Sequence, residues 1–242
     1  MTQDKNLEFL SSCRNDDLRT LCDILTHNSK GELRISEELT NSNAYLLCYP
    51  MRMNMMAREI GEELRKFGSN TIKTFYNNDA DSYEKILKRV CKKLKVKTNE
   101  GDTVTAMEKR MLFTVCEQAT ARMGEDELRD LADAAGIPHK HIKNQMVGYA
   151  IMGAARLNRQ VLMRIVQHVV AKASQWLAGR CLPLACTSCL SRGLGMISGP
   201  VGWILLTGWT IGDIASPAYR VIIPAVIMVA LMRLQSMYLL TA

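Results

Sequence analysis

The chain has 242 residues, 48% of them hydrophobic, and a formal net charge of +7. This length is sufficient to bury a core in one large domain or two smaller ones. The N-terminal stretch MTQDKNLEFLSSCRNDD has acids and no apolar segment, which excludes a secretory signal, and the eight scattered cysteines indicate reduced thiols rather than a disulfide framework.

The first half of the chain shows apolar residues at helical spacing and no sustained alternation, which predicts an all-α fold. Thr105 and Glu108 fit a capping box that opens a helix ending at Gly124. A short helix to Ala135 completes a helical N-terminal domain over residues 1–135. The earlier predicted helices are a short one around Leu7 and Leu10, one capped by Asn15 or Asp16, one from Pro50 to Phe67, and an amphipathic one from Tyr83 to Leu94.

The Gly136-Ile137-Pro138 sequence is the predicted hinge, because turn residues and the loss of acids coincide there. No aspartate or glutamate occurs from Ala134 to Gly212, whereas that stretch holds eight lysines and arginines. Residues 136–192 therefore form a basic amphipathic helical region, which can lie on an anionic surface, bind a partner helix, or pack on its own domain. The candidate contacts to an anionic surface are Arg156, Arg159, Arg164, Lys172, Arg180 and Arg192.

Residues 193–242 are predicted to form a glycine-rich hydrophobic helical hairpin. Its first part, Gly193 to Gly212, carries no charge and is long enough to span a bilayer. Small residues four apart allow close helix contact in lipid, and tryptophans suit the bilayer interface. The predicted membrane or oligomer contacts are Gly195, Gly199, Gly202, Trp203, Gly208, Trp209 and Gly212.

The second part of the hairpin, Val221 to Ala242, has marginal insertion energy. Ten valine, isoleucine and leucine residues offer roughly −3 to −6 kcal/mol, and the central Arg233 costs about +2.5 to +3.5 kcal/mol. Both conditional insertion in lipid and permanent burial in a soluble core agree with these values. Asp213 and Arg220 bracket the turn and are expected to form an ion pair.

Motifs for chemistry are sparse. Cys181, Cys186 and Cys189 have the opening spacing of an iron–sulfur site but lack a fourth cysteine downstream, and His168 could complete a zinc site instead. Small buried thiols are the simpler interpretation. No phosphate-binding loop, nucleophile elbow or complete dinucleotide fingerprint occurs, so we expect no cofactor and no enzymatic activity.

Three segments carry a family resemblance. LEFLSSCRNDDLRTLCDILTHNSKGELRISEEL, GPVGW and SPAYRVIIPAVIMVALMR resemble the bacterial YaaW family across nearly the whole chain. The resemblance implies a small N-terminal domain followed by a region similar to ubiquinol-cytochrome c chaperones. It implies no catalytic residues.

Two functions follow from these features, and a plain soluble helical scaffold is the third alternative. The first is a non-enzymatic, membrane-associated effector that inserts or forms pores and oligomerises through the glycine-rich hairpin. The second is an assembly chaperone or scaffold that docks on a membrane-protein client at the inner membrane. The expected location is the cytoplasm or the cytoplasmic membrane, with an anionic membrane surface as partner. We do not expect nucleic acid as a partner, although Lys85 to Lys97 is basic.

Overall fold

The computed structural model describes residues 4–27, 33, 39–69, 80–121, 123–138, 142, 144–158, 160–168 and 217–239. All regular elements in these ranges are helices, which confirms the all-α prediction. Two are 3-10 helices, Lys5–Ser12 and Met53–Met56. The α-helices are α1 (Asn15–Thr26), α2 (Asn43–Cys48), α3 (Ala57–Gly68), α4 (Tyr83–Lys93), α5 (Val104–Thr120), α6 (Glu125–Ala135), α7 (Asn144–Leu157), α8 (residues 160–168) and α9 (Pro217–Leu239).

The C-terminal helix α9 lies at the centre of the bundle. It packs against α1, α3, α4, α5 and the first 3-10 helix. Its residues from Val221 to Leu234 are buried except Pro224 and Arg233. A helix that is apolar on every side is one that its neighbours surround, so helices from the first half of the chain and α9 share one core.

Helix ends are satisfied by short side chains close in sequence. Ser42, Ser82 and Thr103 accept hydrogen bonds from the backbone N–H groups at the starts of α2, α4 and α5. Gly136 ends α6 with a positive φ of 72°, a conformation that glycine adopts without steric cost. Most helices lie where the sequence pattern predicts them. The predicted helix from Pro50 to Phe67 instead begins as a 3-10 helix at Met53 and becomes the α-helix α3 at Ala57, and the pattern does not predict α2.

Two local predictions are wrong in detail. Thr103 caps α5, so Thr105 and Glu108 lie inside the helix and form no capping box. The N-cap of α1 is Arg14, which makes no side-chain capping bond, and the side chain of Asn15 instead binds a distant loop. In both cases a tertiary contact uses a side chain that could also have served as a local cap.

Part of the predicted layout lies outside the described residues. These residues are 169–216, which include the end of the basic region, the first helix of the proposed hairpin and the start of its predicted turn at Asp213. The end of that predicted turn, Arg220, lies in α9. The second predicted helix is present as α9. The hairpin and the boundaries at residues 135 and 192 remain predictions. No helix in the described ranges has the combination of length and hydropathy that a bilayer span requires.

The central position of α9 predicts a large cost for truncating its buried side chains. Ile223→Ala is expected to lower the free energy of unfolding by about 2–5 kcal/mol, because it opens a cavity in the shared core. Met237→Ala, at a position on the same helix that is 38% exposed, should change it by less than about 1 kcal/mol. Urea denaturation of both variants measures the difference. Equal and small losses of unfolding free energy in the two variants would show that α9 is not part of the core.

Candidate functional site

The most buried polar cluster of the described chain surrounds Arg233 of α9. The Arg233 Nε donates a hydrogen bond to Glu108 Oε2 at 2.7 Å, and the Tyr83 hydroxyl donates to Glu108 Oε1 at 2.8 Å. The Arg233 Nη2 donates to the backbone oxygen of Asn6. The guanidinium also lies 4.0 Å from the centroid of the Phe9 ring. Arg233 thus connects α9 with α5 and the first 3-10 helix. Tyr83 lies in α4 and connects that helix to the same cluster.

Burial dominates the electrostatics of this cluster. Glu108 and Tyr83 are both buried. Loss of water raises the pKa of Glu108 above its ordinary value, and Arg233 and the hydrogen bond from Tyr83 offset only part of this rise. Burial and the neighbouring Glu108 carboxylate raise the pKa of Tyr83 well above its ordinary value. The arrangement suits a structural role, because its polar atoms form hydrogen bonds with one another.

A second polar cluster joins α1 to α2. Asp23 is buried, and burial raises its pKa while the nearby Tyr49 hydroxyl and the charges of His27 and Arg19 oppose the rise. The rings of Tyr45 and Tyr49 are stacked with centroids 4.7 Å apart. Tyr49 also lies 5.8 Å from the Arg19 guanidinium carbon. This cluster fixes which face of the short helix α2 points inward.

The candidate arginines of the basic region have partners within the chain where the structure describes them. The Arg156 guanidinium lies 3.7 Å from a carboxylate oxygen of Glu117 and 5.1 Å from the centroid of the Phe113 ring. Arg164 Nη1 donates to the backbone oxygen of Ala135 at 3.3 Å, at the C-terminal end of α6. Both side chains are nevertheless exposed, so neither contact removes them from a surface partner.

The other predicted site residues are not brought together by the described part of the chain. The side chain of Arg220 is outside it, although its backbone lies in α9. The predicted residues that lie wholly outside the described ranges are Arg159, Lys172, Arg180, Cys181, Cys186, Cys189, Arg192, Gly195, Gly199, Gly202, Trp203, Gly208, Trp209, Gly212 and Asp213. Their proposed roles remain predictions. No group of three metal-ligating side chains occurs among the described residues.

The sequence pattern also left one surface feature undetected. Four large apolar side chains, Leu46, Leu47, Met51 and Met55, project from α2 and the adjoining segment into solvent. In the sequence they belong to ordinary helical apolar spacing, which gives no sign that they face outward. The absence of acids from residues 39–58 is the available signal, because it distinguishes this segment from an ordinary solvated face.

The cluster around Arg233 predicts that substitutions of Arg233 and Glu108 have strongly coupled effects on the free energy of unfolding. Arg233→Met should lower the free energy of unfolding by about 3–5 kcal/mol, because it leaves a buried carboxylate without its cation. Adding Glu108→Gln should recover part of this loss, which a double-mutant cycle measures. Arg156→Met, which removes an exposed ion pair, is the matched control and should cost less than about 1 kcal/mol. Additive effects at residues 108 and 233 would contradict the coupling.

The raised pKa of Glu108 predicts the sign of its pH effect. A carboxyl group with a higher pKa in the folded state binds its proton more tightly there, so protonation of Glu108 favours the folded protein. Relative to Glu108→Gln, the wild type should therefore gain stability as pH falls from 7 toward 4.5. Urea unfolding of both proteins across this range measures the difference. A relative loss of wild-type stability would show that the charged form is the favoured one.

Comparison with known proteins relates the whole chain to one family. A family model described as a domain of unknown function (DUF3944) matches residues 1–35. A UPF0174 protein of Helicobacter pylori strain J99 is 36% identical over 237 residues, which cover 96% of this chain and 92% of that protein. A UPF0174 protein of H. pylori strain 26695 is 28% identical over 83% of this chain and 98% of its own length.

The predicted resemblance to YaaW is confirmed by the same comparison. The UPF0174 protein YaaW of Escherichia coli K12 is 25% identical over 233 residues, 95% of this chain and 94% of YaaW. No solved structure matches the chain. None of these findings tests the expected similarity to ubiquinol-cytochrome c chaperones. On the identity and coverage of its relatives, the chain belongs to the UPF0174 family, which includes YaaW.

Proposed function

We propose that this chain is a non-enzymatic, membrane-associated helical protein in which α9 stays inside the folded domain and anchors the preceding apolar stretch to it. The basic region 136–192 provides attraction to an anionic membrane surface. The uncharged stretch from Gly193 to Gly212 is the element that enters the bilayer or joins copies of the chain.

The observation that supports this proposal most directly is the burial of α9 together with the pairing of Arg233. Withdrawing α9 would separate Arg233 from Glu108 and expose the faces of α1, α3 and α5 that it covers. Placing the arginine at a bilayer centre would then add about 2.5–3.5 kcal/mol. Attachment that leaves α9 in place avoids both costs, and this favours it over insertion of the complete hairpin.

A second candidate is the assembly factor that docks on a membrane-protein client. The described residues offer a surface for it on α7, where Met146, Tyr149 and Leu157 are exposed at spacings close to whole helical turns. Arg156 lies beside Leu157 and is exposed as well. An apolar strip with an adjacent cation is suited to a helix of a client protein.

Buried thiols provide a test of whether α9 stays in place. Cys116 lies in α5, which packs on α9, and Cys91 lies in α4. Burial raises the pKa of Cys116 to about 12 and that of Cys91 to about 11, so both thiols should react slowly in the folded protein. They should remain slow when the protein binds vesicles containing 30% phosphatidylserine. Mass spectrometry of alkylated peptides reads each site separately.

The outcomes distinguish the functions. Binding to vesicles with Cys91 and Cys116 still protected supports attachment that leaves the core intact. Binding with labelling of both thiols, at the rate seen in 8 M urea, would show that α9 leaves the bundle and would favour the pore-forming effector. Absence of binding to anionic vesicles at any pH would contradict membrane association and leave the assembly factor as the better candidate.

A further inference from the structure

The segment from α2 to the second 3-10 helix exposes an apolar surface of unusual density. Leu46, Leu47, Met51 and Met55 are 72%, 78%, 80% and 67% exposed. Four such side chains within ten residues form a local cluster rather than scattered apolar surface, which would need no explanation. Together with Arg52, we call these residues the apolar tip.

The orientation of α2 is the reverse of what hydrophobic burial alone favours. Tyr45 is buried and Tyr49 is half-buried, and the two rings stack on each other. The Arg19 guanidinium carbon of α1 lies 5.8 Å from the centroid of the Tyr49 ring and connects this face to α1. Leu46 and Leu47 lie on the side of α2 away from these contacts and are exposed.

The loop after α2 is anchored as well. The Asn15 Nδ2 donates to the backbone oxygen of Pro50 at 3.1 Å, and the backbone N–H of Met53 donates to Asn15 Oδ1 at 2.7 Å. Met53 is buried, as is Met56. With these contacts, Met51 and Met55 project on the other side of the segment. Hydrogen bonds thus hold in place the backbone that carries the exposed side chains.

The electrostatics of the tip favour an anionic surface. Residues 39–58 contain Arg52 and Arg58 and no acid. Arg52 is exposed and forms no ion pair within the described part of the chain. Arg58 pairs with Glu62 at 3.1 Å, but its side chain remains 55% exposed. Cations beside projecting apolar side chains are the combination that binds the interface of an anionic bilayer.

We infer that the apolar tip is a membrane-contact site of the N-terminal half, which inserts its leucine and methionine side chains into the interfacial layer of an anionic bilayer. This inference rests on the proposed membrane association and adds a second contact, remote in sequence from the stretch Gly193 to Gly212. The site binds the lipid surface reversibly, because it combines a few shallow apolar side chains with one unpaired cation.

A lipid surface fits the tip better than a protein partner. The four side chains project with two thirds or more of their surface in solvent, which suits penetration of a fluid interface. A protein interface instead requires a complementary pocket for each projecting side chain. Association of two copies of the chain through the tip would bring Arg52 of each copy close to the other, which disfavours that arrangement.

The test compares the full chain and its variants in cosedimentation with vesicles of phosphatidylcholine containing 30% phosphatidylserine. Leu46→Ser with Leu47→Ser should weaken partitioning about tenfold or more, because it removes apolar side chains from the inserted surface. Arg52→Gln should weaken it about fivefold on anionic vesicles and leave binding to pure phosphatidylcholine unchanged. Leu33→Ser, at a position 52% exposed and outside both the tip and the basic region 136–192, is the matched control and should bind as the wild type does.

Folding and self-association are measured on the same samples. All the substituted positions are exposed, so the thermal melting curves of the variants should superimpose on that of the wild type. Sedimentation velocity without lipid should give the same species for the wild type and the leucine double variant. A larger wild-type species that the double variant loses would identify the tip as a contact between copies and would overturn the lipid site.

The remaining outcomes separate this inference from the proposed function. Wild-type binding that the leucine double variant retains in full would overturn the tip as a membrane contact while leaving membrane association intact. No binding by the wild type would overturn both. Equal weakening by Leu46→Ser with Leu47→Ser and by Leu33→Ser would also overturn the tip, since it would indicate general apolar adsorption.

Discussion

The hydrogen-bonded ion pair between Arg233 and Glu108 determines how the two ends of the chain come together. The two residues are 125 positions apart, and the other buried side chains of their helices are apolar except Thr120. A buried charge of either sign without the other would be strongly unfavourable. The pair therefore selects the register in which α9 enters the bundle, whereas apolar packing alone would tolerate several.

The same pair changes the interpretation of the hydrophobic C-terminal helix α9. Read as a linear segment, it is a marginal bilayer span weakened by an arginine. In the folded chain, Arg233 is satisfied by Glu108, by the Asn6 backbone and by the Phe9 ring. A residue that is unfavourable in lipid is thus a specific contact in the bundle, and this disfavours withdrawal of α9 from the fold.

Specific contacts accompany both the burial of α9 and the exposure of the apolar tip. In α9, Arg233 pairs with Glu108, and the apolar side chains around it are buried. In α2, Tyr45 and the stacked ring of Tyr49 lie on the inward side, and Leu46 and Leu47 are exposed to solvent. Hydrophobicity itself is not directional, so a few hydrogen bonds can decide which apolar groups remain outside.

Helical periodicity and short-range capping were sufficient to predict the all-α class and the places of most described helices. The end of α6 at Gly136 is such a case, since only φ and neighbouring backbone groups are involved. Glu108 shows where local reasoning fails. Its position after Thr105 resembles a capping box, but Thr103 caps the helix two residues earlier, and Glu108 instead pairs with a buried arginine far along the chain.

The candidate functional residues also fall into two groups, those that the sequence identifies and those that it does not. The exposed arginines Arg156 and Arg164 could be identified from charge patterning, because exposure of a long cation is the ordinary outcome. The outward direction of Leu46 and Leu47 could not, because it depends on contacts with α1. The sequence alone therefore determined the helical class, most of the helices and the charge asymmetry. Only the tertiary structure decided which apolar faces are buried, because long-range pairing of polar groups sets the orientation of each helix.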